Sequence, residues 1–276
     1  MVFRQGGSAA NTARWVARLG GEAVFIGAVG QDEWGRRLRD ALKSAGVKVH
    51  LARHRAVTAR IVAVVEPGGE RTFVTERGAA DLLTADEMQP AWFARAAGLH
   101  LPAYSLLNEP IATAAQRAIE LARAAGAVVS VDLASRRPLL AHGRRSALAR
   151  IAAVAPDLLF ANASEAFALA GSRGDHHLLD LAPIVVIKDG ASGCRLLIRE
   201  PSGLRAKPTR LAIATTPVEA RDTTGAGDAF DAGFLLAWLA APAETRSDAA
   251  VLRWAALAGH RAAARLLTSS RPETVG

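Results

Sequence analysis

Residues 222–228 read Asp-Thr-Thr-Gly-Ala-Gly-Asp and run directly into an apolar segment, residues 229–240. In that segment Phe230, Phe234 and Trp238 recur at helical spacing, so the glycine-rich stretch is predicted to lie at the N-terminus of a helix. Unpaired backbone N–H groups and the positive end of the helix dipole meet there and form an anion site. A carboxylate at the mouth of this site, Asp228, is suited to act as a base on the group that attacks a bound phosphate.

A purely structural explanation of the same stretch also stays open. Asp is a favoured helix N-cap, and glycines are common in loops. Two better-known phosphate motifs are excluded. A Walker A loop needs a Gly-Lys dipeptide, which the chain lacks, and the dinucleotide fingerprint needs a third glycine where Phe230 stands.

Short apolar strands alternate with helical patterns along the chain, which indicates an α/β fold with a doubly wound, mostly parallel sheet flanked by helices. Residues 57–77 instead predict an antiparallel hairpin, with strands at 61–65 and 71–75 and a Pro-Gly-Gly turn at 67–69. Helices are predicted at 32–45 and between Pro110 and Gly126. The other predicted strands are 23–29, 128–131, 158–160, 184–187 and 194–198.

Polar residues follow several of these strands. Ligands of doubly wound sheets bind beyond the carboxyl ends of the strands. Asp132, Asn162 and Lys188 each stand at such an end, so we expect them to line one rim together with the glycine loop at 225–227.

Composition narrows the function classes. The chain has 276 residues, 50% hydrophobic content and a formal charge of +8, but its 34 basic residues are scattered, which argues against nucleic-acid binding. We expect no membrane span and no secretion signal, hence a cytosolic protein. The single cysteine, Cys194, opens an apolar strand and is expected to be a buried structural thiol.

Residues 222–228 with Phe230 and Gly233 resemble the C-terminal signature of the ribokinase-like (PfkB) carbohydrate kinases. A second stretch at the opposite end, residues 6–11 reading Gly-Gly-Ser-Ala-Ala-Asn, resembles the N-terminal motif of that family. Further similarity lies at 30–35, 77–79, 162–165 and 188–193, so the resemblance covers nearly the whole chain. It implies a single ribokinase-like domain over 1–276 with a small β lid.

The resemblance implies transfer of the γ-phosphate of ATP to a hydroxymethyl group of a small carbohydrate. Such a reaction asks a protein mainly for alignment and charge stabilisation. The amides of Gly225, Ala226 and Gly227 would hold the migrating group, and Asp228 would take the proton of the sugar hydroxyl. At a helix N-terminus this carboxylate is expected to stay ionised at neutral pH.

The same resemblance implies cofactor sites. Asn162 and Glu165 would order Mg²⁺ and its waters, although the pair also fits a helix cap. The nucleotide loop would comprise Lys188, Gly190 and Gly193. His260 falls where the family encloses adenine, but a histidine on this alanine-rich helix is equally explained by packing.

The remaining assignments concern the sugar and a monovalent cation. Gly7 and Asn11 would bind sugar hydroxyls, although Asn11 could equally be a first-turn helix residue. Asp222 and Thr224 occupy positions that bind a monovalent cation, often K⁺, in relatives. On charge alone, Arg60 and Arg77 would suit an acidic sugar such as a keto-deoxy-gluconate.

The chain departs from the family pattern at its start, because the family's first strand and its sugar-binding aspartate are not found before residue 6. We therefore expect an incomplete lid and a weak catalyst whose longer form is active. A nucleoside (adenosine-type) kinase and a catalytically weak sugar- or nucleotide-binding protein remain alternatives to a ribose-, fructose- or keto-deoxy-gluconate-type sugar kinase. Members of the family often dimerise through the lid, so the resemblance leaves a homodimer open although this lid is incomplete.

Overall fold

The computed structural model describes residues 2–65, 71–200, 207–220, 222–269 and 274–275. Its strands are β1 Val2–Phe3, β2 Val24–Gly30, β3 Lys48–His54, β4 Arg60–Val65, β5 Arg71–Glu76, β6 Gly98–Pro102, β7 Val128–Asp132, β8 Leu158–Asn162, β9 Ile184–Lys188, β10 Cys194–Ile198, β11 Thr209–Ile213 and β12 Thr274–Val275.

Eight α-helices lie between these strands in the described residues: α1 Ser8–Arg18, α2 Glu33–Ser44, α3 Ile111–Ala124, α4 Arg136–Leu140, α5 Arg144–Val154, α6 Ala163–Ala170, α7 Ala226–Ala240 and α8 Ala249–Thr268. Short 3₁₀ helices occupy Gly78–Asp81, Ala85–Glu87, Pro90–Trp92, Ala103–Leu106, Gly171–Arg173, Asp175–Asp180, Gly190–Ser192 and Ala243–Thr245. None of the helices within the described ranges is long and apolar enough to cross a bilayer.

The central sheet has six strands in the order β11-β10-β9-β8-β7-β6. Strands β6 to β9 are parallel, and β10 runs antiparallel to both of its neighbours. The predicted α/β class with a mostly parallel, doubly wound sheet is confirmed. The strands that the sequence predicted differ in their bounds by at most two residues, and β3, β6 and β11 were not predicted.

Successive side chains of a strand point to opposite faces of the sheet, so the central strands contribute to two separate hydrophobic cores. On β8, Leu159 and Ala161 face the layer of α3, α5 and α6, whereas Leu158 and Phe160 face α7 and α8. Both faces of the sheet are therefore covered by helices, which explains why its strands read as continuous apolar runs.

Strands β2 and β3 form a separate parallel pair, and β4 and β5 form an antiparallel hairpin. The predicted turn at 67–69 lies outside the described residues. Among the described residues β2 pairs only with β3 and β6 only with β7, so each has one edge without a partner strand. Both strands line one large cavity of about 3010 Å³, and Val24 of β2 is 45% exposed. The lack of the family's first strand, expected from the sequence, stays a prediction.

Helix α7 is the most deeply packed helix near the site. It was predicted over 229–240 behind a glycine loop; instead it begins at Ala226 because Gly225, at φ +79°, turns the chain directly into the first helical turn. Phe234 is fully buried in α7 and packs edge-on against Phe160, with ring centroids 5.3 Å apart. The helix is thereby anchored to the sheet within two turns of Asp228.

The Phe160–Phe234 contact gives a first testable prediction. Replacing Phe234 with Ala leaves a cavity between helix and sheet, so the free energy of unfolding should fall by about 3–5 kcal/mol. Urea denaturation measures this change. The matched control is Phe167→Ala on α6, where the side chain is 69% exposed and the change should stay within about 0.5 kcal/mol. Equal losses at the two positions would contradict the packing described here.

Candidate active site

The N-terminus of α7 lies at the wall of the large cavity. Gly225 is its N-cap, and Ala226, Gly227 and Asp228 form its first turn. The N–H of Ala226 donates to the carbonyl of Thr223 at 3.1 Å, so one of the amides predicted to hold an anion is engaged within the turn. All of 225–228 line the cavity, as a phosphate site at a helix N-terminus requires.

Asp228 is partly buried and lies in the cavity wall rather than in the core. Its Oδ1 accepts a hydrogen bond from Ser8 Oγ at 2.8 Å, and its Oδ2 accepts one from Asn11 Nδ2 at 2.7 Å. Burial raises the pKa of Asp228, and these two hydrogen bonds oppose the rise. The net direction is opposite to the effect that the sequence predicted from the helix N-terminus.

Asn11, predicted as a sugar ligand, is held in one orientation by its neighbours. Arg14 donates to Asn11 Oδ1, which leaves the amide nitrogen directed at Asp228. Gly7, with φ +97°, precedes α1 and allows Ser8 and Asn11 to approach the base from the same side. The two predicted sugar residues and the predicted base thus lie together, although their segments are far apart in sequence.

The expected rim is present at the carboxyl ends of the strands. Asp132 ends β7, Asn162 ends β8 and Lys188 ends β9, and Asn162 is in register with Lys188. All three line the cavity that also contains Asp228.

Lys188 occupies the centre of this rim. Its Nζ donates to both carboxylate oxygens of Asp231, at 3.0 and 2.9 Å, and to Asp132 Oδ1 at 3.3 Å. A Cβ placed on Gly227 would lie 3.4 Å from the same nitrogen, so the ammonium group lies directly against the glycine turn. Burial by itself lowers the pKa of Lys188, but the two carboxylates outweigh it and raise the pKa above its ordinary value. The ammonium is therefore charged at neutral pH.

Asn162 and Glu165 form a capping box at the start of α6. Asn162 Oδ1 accepts from the Glu165 N–H, and Glu165 Oε2 accepts from the Asn162 N–H, both at 2.9 Å. Glu165 is only 5% exposed. Burial, reinforced by the negative charge of Asp132, raises the pKa of Glu165 to about 7. The cap that the sequence allowed is present, and the carboxyl group still faces the cavity.

The predicted nucleotide loop is a short turn after β9. Gly190 adopts φ +61° and lines the cavity. Gly193 has a structural role, because a Cβ there would lie 2.1 Å from the carbonyl oxygen of Ile213. Asp189, between Lys188 and Gly190, accepts two hydrogen bonds from Arg195, at 2.6 and 3.1 Å, which fix the turn.

His260 is buried on α8, where its ring meets the edge of Phe230 with centroids 5.1 Å apart. Burial lowers its pKa. It is not among the residues that line the large cavity, so its contacts match the packing explanation that the sequence left open. A contact with adenine stays a prediction.

The predicted cation residues are engaged with protein groups. Asp222 accepts from the Thr224 N–H at 2.9 Å, and the guanidinium of Arg4 forms an ion pair with the same carboxylate. A monovalent cation at Asp222 and Thr224 stays a prediction, and it would have to displace or share this ion pair.

The two arginines suggested for an acidic sugar both line the cavity, but each lies near a carboxylate. Arg77 donates to Asp81 at 2.8 and 2.5 Å and lies over the ring of Tyr104. Arg60 lies 3.9 Å from Asp32. Their charges are already compensated, which weakens the argument for an acidic substrate.

The sequence analysis missed two residues of this site. Asp231, which is fully buried, is the second acid that pairs with Lys188, and Ser8 is a second donor to Asp228. A signal for Asp231 was available, since it is an acidic residue in an otherwise apolar helical segment, three positions after Asp228. Ser8 stands inside the motif at 6–11, but a serine beside two glycines is ordinary in a loop and gave no sign of a contact with Asp228.

The carboxylates of the rim fit a magnesium–nucleotide complex better than a metal cage. Within the described part of the chain, no group of three or more His, Cys, Asp or Glu side chains could hold a metal ion by itself. Mg²⁺ is usually bound through one or two carboxylates, water and substrate phosphates. Glu165 and Asp132 at the cavity wall supply oxygen donors of that kind.

Comparison with known proteins shows the family of this chain. The model of the pfkB family of carbohydrate kinases matches residues 1–274. Fructokinase-1 of Zea mays is 36% identical over 237 residues, which cover 82% of this chain and 71% of the relative. The adenosine kinase of Sinorhizobium meliloti superimposes with a TM-score of 0.83 at 25% identity, over 96% of this chain and 78% of that one. The fructokinase of Vibrio cholerae O395, solved with fructose, ADP and calcium, has a TM-score of 0.78 at 25% identity, over 96% and 85%.

The Glu165 pKa predicts a pH-dependent stability. A carboxyl group whose pKa is raised to about 7 on folding stabilises the protein fully below its ordinary pKa and loses that contribution as the pH rises towards 7. Glu165→Gln keeps the capping box without the titration. Between pH 5 and 8 the variant should therefore gain stability over the wild type, on the order of 2 kcal/mol.

Urea denaturation at several pH values measures this difference. Glu33→Gln, at the exposed start of α2, shows the effect of removing a carboxylate in contact with water. A wild type and Glu165→Gln variant that keep a constant stability difference from pH 5 to 8 would contradict the raised pKa.

Proposed function

Because the chain belongs to the pfkB family of carbohydrate kinases, we propose that the site at the N-terminus of α7 is where this ATP-dependent sugar kinase transfers phosphate, with Asp228 as its base. One observation carries the proposal. The Asp228 carboxylate, the turn at 225–227 and the Lys188 ammonium meet at the carboxyl rim of the sheet, where a phosphate and an alcohol can lie side by side.

The step needs one proton acceptor and an aligned phosphate. The hydroxyl oxygen of the sugar forms a bond to the γ-phosphorus while the bond from that phosphorus to the bridging oxygen of ADP breaks. The hydroxyl proton passes to Asp228, and ADP leaves with the bridging oxygen. Ser8 and Asn11 already donate to Asp228, so they orient the carboxylate, and a sugar hydroxyl would take over part of this hydrogen bonding.

Two groups of the protein would stabilise the negative charge on the migrating phosphoryl group: the N-terminus of α7 and the Lys188 ammonium. The N–H groups of Gly225 and Gly227 lie at the positive end of the α7 dipole, and the Lys188 ammonium lies against Gly227. Asn162, Glu165 and Asp132 would hold Mg²⁺, which neutralises charge between the β- and γ-phosphates when bound. Gly190 leaves room for the nucleotide beside the rim, since a Cβ there would meet nothing within 4 Å.

Fructose is the sugar that the observations favour. Two of the three proteins compared are fructokinases, and one of these was solved with fructose. Arg60 and Arg77 lie beside Asp32 and Asp81, so these two arginines offer a keto-deoxy acid little free positive charge. Gly7 and Asn11 would bind the hydroxyl groups of fructose beside Asp228.

An adenosine-type nucleoside kinase is the second candidate. The adenosine kinase structure superimposes over 96% of this chain, and a nucleoside has the same primary hydroxyl for Asp228 to deprotonate.

We also propose a cytosolic location and a homodimer. The hairpin of β4 and β5 supports the dimer, because Ile61, Val62 and Val74 are 58%, 47% and 62% exposed.

Removing the charge of Asp228 tests the base. In Asp228→Asn the amide cannot take the proton, so kcat should fall by about 10²–10⁴-fold while the Kd for ATP changes little. Coupled ADP-release kinetics and calorimetric titration with ATP measure the two quantities. Asp40→Asn, an exposed carboxylate on α2, is the control and should retain wild-type kcat. An Asp228→Asn variant with wild-type turnover would refute the assignment.

A panel of acceptors tests the substrate. We expect the highest kcat/KM with fructose, followed by ribose, and little turnover with keto-deoxy-gluconate, because no uncompensated arginine among those suggested meets its carboxylate. Adenosine as the best acceptor would establish the nucleoside kinase instead. Binding of ATP without turnover of any acceptor would support the catalytically weak alternative. ADP release, followed for every acceptor at the same ATP concentration, distinguishes the three outcomes.

A further inference from the structure

Asp231 is a buried acid with no evident packing function. It lies in α7 one turn after Asp228 and is 0% exposed. Its helical neighbours Phe230 and Phe234 belong to the apolar core against the sheet. A carboxylate in such surroundings is destabilising unless it is paired and hydrogen-bonded. Its partner is Lys188, which donates to both of its oxygens.

An apolar pair of similar size could fill this place at least as stably, because buried ion pairs are often matched or exceeded by hydrophobic replacements. Stability is therefore a weak reason for an acid here. The geometry of the pair suggests another reason, since two oxygens on one carboxylate fix the position of the ammonium in a way that a single contact does not.

The fixed position of Lys188 coincides with the phosphate site. Its Nζ lies 3.4 Å from the place of a Cβ on Gly227, and it faces the same cavity as Asp228. Asp132 also contacts the ammonium, but through one oxygen and at 3.3 Å. Without Asp231, the remaining carboxylate would draw Nζ towards β7 and away from the glycine turn.

We propose that Asp231 is a positioning residue for phosphoryl transfer: its buried carboxylate holds the Lys188 ammonium against the turn at Gly227, where that charge stabilises the migrating phosphoryl group. The inference rests on the proposed function of the same site. Asp231 touches no reacting atom and acts through Lys188. It follows that the Asp231 contribution belongs to the transition state more than to the binding of sugar or ATP.

The test compares Asp231→Asn with the wild type. The amide keeps the shape of the side chain but loses its charge and one acceptor. We expect kcat to fall by about 10- to 100-fold, with the KM for sugar and for ATP changing less than about threefold, because a displaced charge weakens the transition state and not the ground state. Asp157→Asn is the matched control: Asp157 accepts from the Val129 N–H and does not line the cavity, so kcat should be unchanged.

A double variant separates positioning from folding. Lys188→Met with Asp231→Leu removes both charges of the closest pair together, and circular dichroism checks that the variant folds although Asp132 loses its contact at 3.3 Å. We expect its kcat to be at least as low as that of Asp231→Asn. If the pair only stabilises the fold, the folded double variant will turn over at the wild-type rate, and the proposal is overturned. If Asp231→Asn does not fold, a folded double variant with the wild-type rate still overturns the proposal.

A binding measurement keeps the inference apart from the proposed function. Aluminium fluoride with ADP and Mg²⁺ mimics the planar phosphoryl group, and calorimetry gives its affinity with or without turnover. We expect Asp231→Asn and the double variant to bind ADP as the wild type does, but to bind aluminium fluoride at least about tenfold more weakly. Wild-type affinity in a folded Asp231→Asn protein overturns the positioning role. A wild type that phosphorylates no acceptor refutes the proposed function alone.

Discussion

One buried ammonium group joins the sheet to the helix that carries the base. Lys188 ends β9, Asp132 ends β7 and Asp231 belongs to α7, and the lysine nitrogen lies within hydrogen-bonding distance of both acids. Each of these groups would be strongly destabilising alone in such a place, so each depends on the others. The ion pair between Lys188 and Asp231 holds the start of α7 against the carboxyl ends of the strands, and it thereby positions Asp228 and the glycine turn. Phe234 against Phe160 secures the same helix one layer deeper, so the base stands on a rigid element.

The charge of the site has a chemical consequence. Several carboxylates surround the single ammonium group of Lys188. This excess of negative charge would by itself repel a triphosphate. Burial raises the pKa of Glu165 to about 7, so part of this negative charge is neutralised by protonation near neutral pH before a ligand arrives. Magnesium bound with the nucleotide would favour the ionised form of Glu165. The formal charge of +8 over the chain acts at longer range and favours the approach of anions in general.

Much of the fold could be predicted from sequence because its signals are local. The period-two and helical patterns place β7 to β10 and α3 within a residue or two, and the glycine turn marks the start of α7. The candidate site was predicted less completely. Asp228, Asn11 and Lys188 belong to motifs and were named, whereas Ser8 and Asp231 gain their importance only from neighbours 220 and 43 positions away. For His260, the sequence could not choose between packing and ligand binding, because the choice depends on which face of α8 meets Phe230.

The amino-acid sequence by itself determined the family, the sheet-and-helix order and the phosphate-handling turn, since these depend on residue types at short fixed spacings. Only the tertiary structure decided the electrostatics. It gave Lys188 two acidic partners, raised the pKa of a capping glutamate, placed carboxylates beside Arg60 and Arg77, and, within the residues it describes, left β2 and β6 each with one edge that has no partner strand. Each of these outcomes depends on burial and on distances between remote segments, and solvation energies cannot be assigned until the chain has folded around the groups concerned.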